Sequence, residues 1–170
     1  YFLSSRIIQQ EFVPHLFDLF LACEKENNVA AMEQIFTIVK GLCKLENVQI
    51  FEMFLHPQNI TQFARMMEYC PKFSFLPTEQ KPSFLQHLNT ENRFHEISVQ
   101  IDKNLITDEM LRLVEHIFRL QYFREYVFPQ VMEEDPIMNV SLLIRMCYKE
   151  LFMMLAKNPS IFQLINFLAE

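Results

Sequence analysis

Glycine is almost missing from this chain of 170 residues: Gly41 stands alone, where average usage of about 7% would give on the order of twelve. Glycine supplies positive φ in hairpin turns and lets backbone approach phosphates closely. A dinucleotide fingerprint, a phosphate-binding loop and a G-x-S-x-G nucleophile elbow each need at least two glycines in one short window, and the sequence has no such window. Tryptophan is absent altogether. A positive balance is absent too: 15 Lys+Arg against 21 Asp+Glu give a net charge of -6 and a pI near 5.4. Without a basic stripe to neutralise phosphates, nucleic acid is not expected as a ligand. No apolar run reaches the roughly 18 residues of a membrane span, and the opening Tyr1-Phe2-Leu3 lacks the basic segment of a signal peptide. Neither a membrane contact nor a leader is expected. The missing initiator methionine and the apolar end lead us to expect a domain cut from a longer protein.

Cysteine is present but unpatterned. Cys23, Cys43, Cys70 and Cys147 lie far apart and mostly in apolar stretches, so we expect reduced, intracellular thiols rather than a disulfide framework. With His15, His56, His87, His95 and His116 they never fall at C-x2-C, H-x3-H or H-E-x-x-H spacing, which excludes the usual zinc arrangements. No cofactor is implied. An enzyme reading survives in one form only, a convergence of Cys70, His87 and His95 within hydrogen-bonding reach.

What is present is a core and a helical period. Of the residues, 51% are hydrophobic and 14% aromatic, with 18 Phe and 10 Met, enough for one domain to bury roughly 70% of its unfolded surface without a staple. Val29, Met32, Ile35, Phe36, Val39, Leu42 and Cys43 recur at the steps of one helix face, predicting a helix over 28–45 with Asn28 as its N-cap. From Thr107, with Asp108 and Glu109 at the positive end of the dipole, Met110, Leu113, Val114, Ile117 and Phe118 trace a second helix to about Tyr126. Pro129 is expected to close it. Pro14, Pro57, Pro136 and Pro159 stand where helices start, since first-turn amides are unpaired anyway. Helices are therefore expected over 137–156 and 159–169, the first apolar almost all round and so covered on two sides. The run Glu133-Glu134-Asp135 reads as dipole and cap support for its start.

Between Cys70 and Pro82 the helical period disappears, and Pro71, Pro77 and Pro82 mark an internal Pro-rich loop. A weaker break over 89–104 predicts one short helix plus loop. Three segments share a helix-end, corner, helix-start pattern: 2–7, 54–60 and 154–161. Leu3, Leu55 and Leu155 set a period of roughly 50, near the ~40–47 of armadillo and HEAT repeats. The expected architecture is all-α, one irregular armadillo/HEAT-like α-solenoid over 1–170. A solenoid leaves one groove free for a partner peptide or helix. An adaptor or transport-type solenoid that binds basic peptides is the alternative, although its Trp-Asn ladders need the tryptophan this chain lacks.

Several ordered blocks resemble a known family. Leu16-Phe17-Asp18-Leu19-Phe20-Leu21-Ala22-Cys23-Glu24, Ile35-Phe36-Thr37-Ile38-Val39-Lys40-Gly41-Leu42, Phe51-Glu52-Met53-Phe54, Met66-Met67-Glu68-Tyr69-Cys70-Pro71, and Arg119-Leu120-Gln121-Tyr122 running to Val127-Phe128-Pro129 are similar to the central armadillo-like domain of regulatory subunit 3 of protein phosphatase 4, the SMEK/Falafel family. The resemblance covers essentially the whole chain. It implies a non-catalytic scaffold and targeting role, with the phosphatase 4 catalytic subunit, a second regulatory subunit or phosphoprotein substrates as partners. It also implies a nuclear and cytoplasmic location and a link to the DNA damage response. Relatives carry a domain that reads proline-containing motifs before this region and a charged tail after it. The residues also exclude the phosphatase itself, because metallophosphatase signatures of the Gly-Asp-x-His-Gly and Gly-Asn-His-Glu type do not occur. Glu24, Glu68, Tyr69, Arg119, Gln121 and Tyr122 match the family pattern and are the candidate partner contacts. Arg119 and Glu68 have a second expected role, tying adjacent repeats together. Cys70 departs from the pattern, standing where relatives carry Asp.

Overall fold

A computed structural model describes residues 12–45, 47–91, 106–132 and 135–157. Helices dominate these residues and no strand occurs among them. In chain order they are α1 (Phe12–Lys25), α2 (Val29–Cys43), α3 (Val48–Leu55), α4 (Ile60–Glu68), α5 (Phe84–Glu91), α6 (Asp108–Tyr122), α7 (Phe128–Val131) and α8 (Asp135–Ala156). The all-α, solenoid-like reading holds. Among the called segments, 2–7, 92–104 and 159–169 lie outside the described residues.

Two asparagines make the first corner without glycine. Asn27 adopts a left-handed φ of 52°, the conformation that closes a helix and that asparagine tolerates better than most residues. Its N–H reaches the Glu24 carbonyl at 3.0 Å, while the Asn28 N–H reaches the Cys23 carbonyl at 2.9 Å. Two of the orphaned carbonyls of α1 are thereby satisfied. Asn28 then caps α2, its side chain accepting from the Ala31 N–H at 3.1 Å. Asn47 opens α3 and Thr107 opens α6 by the same device. The 54–60 segment is the expected helix-end, corner and helix-start, with α3 ending at Leu55 and α4 beginning at Ile60.

Packing follows the chain and then doubles back. α1 packs on α2, α2 on α4, α3 on α4 and α4 on α5, whereas α8 packs on both α6 and α3. An aromatic column binds these layers. Phe63 of α4 stacks on Phe54 of α3 at 4.9 Å and on Phe123 at 5.3 Å, with Phe128 edge-on at 6.2 Å. Phe17 of α1 meets Phe54 edge-on, and Phe51 meets Phe128. These rings are buried, which accounts for much of the phenylalanine content.

Two expectations need correction. Pro129 does not close the helix that starts at Asp108. After Tyr122 the coil widens into a π turn, Phe123–Val127, in which the Phe128 N–H bonds the Phe123 carbonyl, and Pro129 then sits in the first turn of α7. There its missing N–H is tolerated, and the wider turn relieves the clash a proline ring makes with an α-helical carbonyl. The added residue turns Phe123, Val127 and Phe128 inward together. Secondly, among the described residues α8 packs through one side, with Val140, Leu143 and Ile144 buried and Met138 and Phe152 exposed. Apolar residues all round a helix do not by themselves supply a second neighbour. Ahead of the break expected from 89, a helix runs over Phe84–Glu91, and the rest of that break lies outside the described residues. The Pro-rich loop holds two short 3-10 turns, Pro71–Phe73 and Thr78–Gln80, with Cys70 and Phe73 buried.

Candidate functional site

The first turn of α5 is gripped from two sides. Glu68, the last residue of α4, sends its carboxylate to the Leu85 N–H at 2.9 Å, where it serves as an N-cap borrowed from another helix. Tyr122 of α6 donates its hydroxyl to the Phe84 carbonyl at 3.0 Å. One turn further, the His87 ring lies flat on Tyr126 at 4.3 Å and near Tyr122 at 5.4 Å. Burial pushes the Glu68 carboxyl above its ordinary range, while the Leu85 amide, the Arg65 charge and the Phe84 amide pull it back. Glu24 pairs with Arg65 and adds negative charge beside both Glu68 and Tyr69. The Tyr69 hydroxyl is raised by burial and then by these two carboxylates. Its ring stands edge-on to Phe20 of α1 at 5.8 Å.

The six sequence-predicted residues are thus partly gathered. Glu24, Glu68 and Tyr69 cluster at the end of α4, and Tyr122 joins Glu68 on α5. Gln121 points elsewhere, donating to the Tyr148 hydroxyl of α8 at 3.1 Å. Arg119 pairs with Glu115 at 2.6 Å, one turn back in its own helix. That bond lies within α6, whereas the Glu68 bond ties α4 to α5. All six side chains are half-buried.

A cavity of about 220 Å³ between α3, α6 and α8 went unnoticed in the sequence. Glu52, His56, His116, Cys147 and Glu150 share it with Leu55, Leu113, Leu143 and Met146. The i, i+4 pairs Glu52/His56 and Leu143/Cys147 were a readable signal, but nothing local says that their helices meet. Burial lowers His116 to about 4, helped by the nearby His56 and Arg119 charges and opposed by Glu115. Burial raises the Cys147 thiol to about 11, with Glu150 and Glu52 adding to it. A neutral thiol and a weakly basic imidazole are poor reagents near neutral pH. Among the described residues no group of three His, Cys, Asp or Glu converges as a metal site would, and no helix is long and apolar enough to cross a membrane. Of the enzyme alternative, Cys70 is buried and His87 packs against Tyr122 and Tyr126, while His95 lies outside the described residues.

His116 gives this cavity a pH signature. Its folded value near 4 lies below the ordinary 6.5, so the unfolded chain takes up a proton first and stability falls as pH drops from 6.5 towards 4. Allowing for its partial exposure, His116→Asn should remove about 1 kcal/mol of the loss between pH 7.5 and 5. Urea denaturation of both proteins at the two pH values checks this; parallel losses would contradict it.

The sequence that builds these helices can be placed among known proteins. Residues 2–169 match the family described as Phosphatase 4 regulatory subunit 3. The chain belongs to this family. Two relatives illustrate the distance. A Drosophila melanogaster protein named Serine/threonine-protein phosphatase 4 regulatory subunit 3 is 28% identical over 139 residues, 81% of this chain and 13% of that protein. Suppressor of Mek1 from Dictyostelium discoideum is 26% identical over 141 residues, 82% of this chain and 13% of its own length. The chain thus corresponds to 13% of the length of either relative. No solved structure matches it.

Proposed function

We propose that this domain is a non-catalytic scaffold within a phosphatase 4 regulatory subunit, holding the catalytic subunit, a second regulatory subunit or phosphoprotein substrates, in nucleus and cytoplasm. The family match over residues 2–169 carries this reading. The chemistry is in keeping with it: among the described residues, the titratable cluster between α3, α6 and α8 holds a neutral thiol and a weak base. Half-buried Glu24, Glu68, Tyr69, Arg119, Gln121 and Tyr122 each hold an internal contact and keep an edge towards solvent. Those edges form part of the proposed partner surface.

A pull-down tests this. The immobilised chain is expected to retain purified phosphatase 4 catalytic subunit together with the second regulatory subunit at physiological salt. A chain that melts cooperatively yet retains neither would move assembly to other parts of the protein and defeat the proposal.

A further inference from the structure

The cavity between α3, α6 and α8 has an apolar floor and an acidic mouth. Buried Leu55 and Leu143 line the floor, and exposed Glu52 and Glu150 stand at the mouth. The two carboxylates come from different helices, α3 and α8, yet both lie close enough to Cys147 to raise its thiol. Among the described residues neither takes part in an ion pair. Like charges that converge from two elements repel, and no described ion pair offsets that cost. A third lining group is also left over. Nδ1 of His116 is closed off from solvent and has no hydrogen-bond partner among the described residues, although a buried polar atom ordinarily has one. Its ring, lowered to about 4, is uncharged near neutral pH and so offers a lone pair. At about 220 Å³ the space is smaller than the roughly 300–1,000 Å³ of cofactor pockets. It suits one long side chain.

We propose that this cavity receives an arginine side chain of a partner protein, its methylenes against Leu55 and Leu143 and its guanidinium between Glu52 and Glu150. An arginine has the two parts the site asks for, an apolar stem and a cationic head. Its planar head carries five N–H donors and is weakly hydrated, so it enters a half-closed site and serves several acceptors more readily than the compact, strongly hydrated ammonium of lysine. An acidic side chain is a poor occupant, because it would add a third negative charge to the mouth. A metal ion is poorer still, since no three His, Cys, Asp or Glu side chains converge among the described residues. The inference goes beyond the phosphatase reading and does not rest on it.

The test titrates the 170-residue chain, isotope-labelled at its methionine methyls, with N-acetyl-arginine methylamide and follows the spectrum by NMR. Met146 lines the cavity and reports on it, while buried Met32 and Met66 serve as controls. A saturable shift of Met146 is expected, with a dissociation constant on the order of 1–10 mM for the lone side chain, and no shift of the controls. N-acetyl-citrulline methylamide, which keeps the shape and loses the charge, should bind at least about tenfold more weakly, and the lysine analogue should also bind more weakly. Glu52→Gln combined with Glu150→Gln should weaken the arginine probe by about tenfold. Because both positions are exposed and the change removes a repulsion, the melting temperature should stay the same or rise. The proposal is overturned by a Met146 signal that does not move or does not saturate, by equal binding of the citrulline or lysine probe, or by a double variant that binds arginine as well as the parent. A double variant that melts lower would overturn it too, because the chain's own cations would then already hold the two carboxylates.

Discussion

Phe63→Ala should lower the stability of this domain by about 3–5 kcal/mol, the range for deleting a fully buried phenylalanine. Phe63 is 0% exposed and stands where α3, α4 and the π turn meet, stacked on Phe54 and Phe123 and touched edge-on by Phe128. Removing the ring forfeits both stacking contacts and leaves a void that three separate elements would have to close. None can close it without moving the others. Denaturant titration followed by helical signal measures the loss, and a value under about 1.5 kcal/mol would show that the column is not the centre of the fold. Phe63→Leu, which keeps most of the volume, should cost less than half as much.

The second large effect is expected at Glu68. Glu68→Ala removes the acceptor of the Leu85 amide and leaves that donor without its partner at the start of a short helix, for a cost of about 2 kcal/mol. Glu68→Gln keeps an acceptor while dropping a charge that burial disfavours, so it should cost under about 1 kcal/mol. Native-state hydrogen exchange gives the decisive reading. In the alanine variant the Leu85 amide should exchange much faster while amides of α2 lose only the global difference. Equal behaviour of the two variants would mean that the carboxylate does not fasten α5.

How much of this was legible depends on whether a feature is local. Asn28 and Thr107 were readable as N-caps because a cap needs only its own turn and the following periodic face. The corner at 54–60 was readable for the same reason. Pro129 misled because the π turn before it is set by Phe123, Val127 and Phe128 all finding room in a core built by α3 and α4. Which described neighbours cover α8 was not readable, because a sequence states that a helix is apolar, not which elements reach it. The Glu68 carboxylate was singled out, yet its bond to Leu85 spans the Pro-rich loop and no local rule predicts it. The cavity with Glu52, His56, His116, Cys147 and Glu150 needed three helices to be placed before it existed at all.

The asparagine corner between α1 and α2 also bears on the order in which the molecule folds. With Asn27 and Asn28 holding both helix ends, the first hairpin closes over a handful of bonds between near neighbours, and such steps take microseconds. α3 and α4 close over a comparably short corner at 56–59. α8 has no such shortcut. To reach α3 it must bring together chain separated by every element from α4 to α7, and contacts across long intervals repay their loop entropy only once made. Docking of α8 on α3 is therefore expected after the amino-terminal corners have closed, which makes that seam the place where the fold is expected to open first.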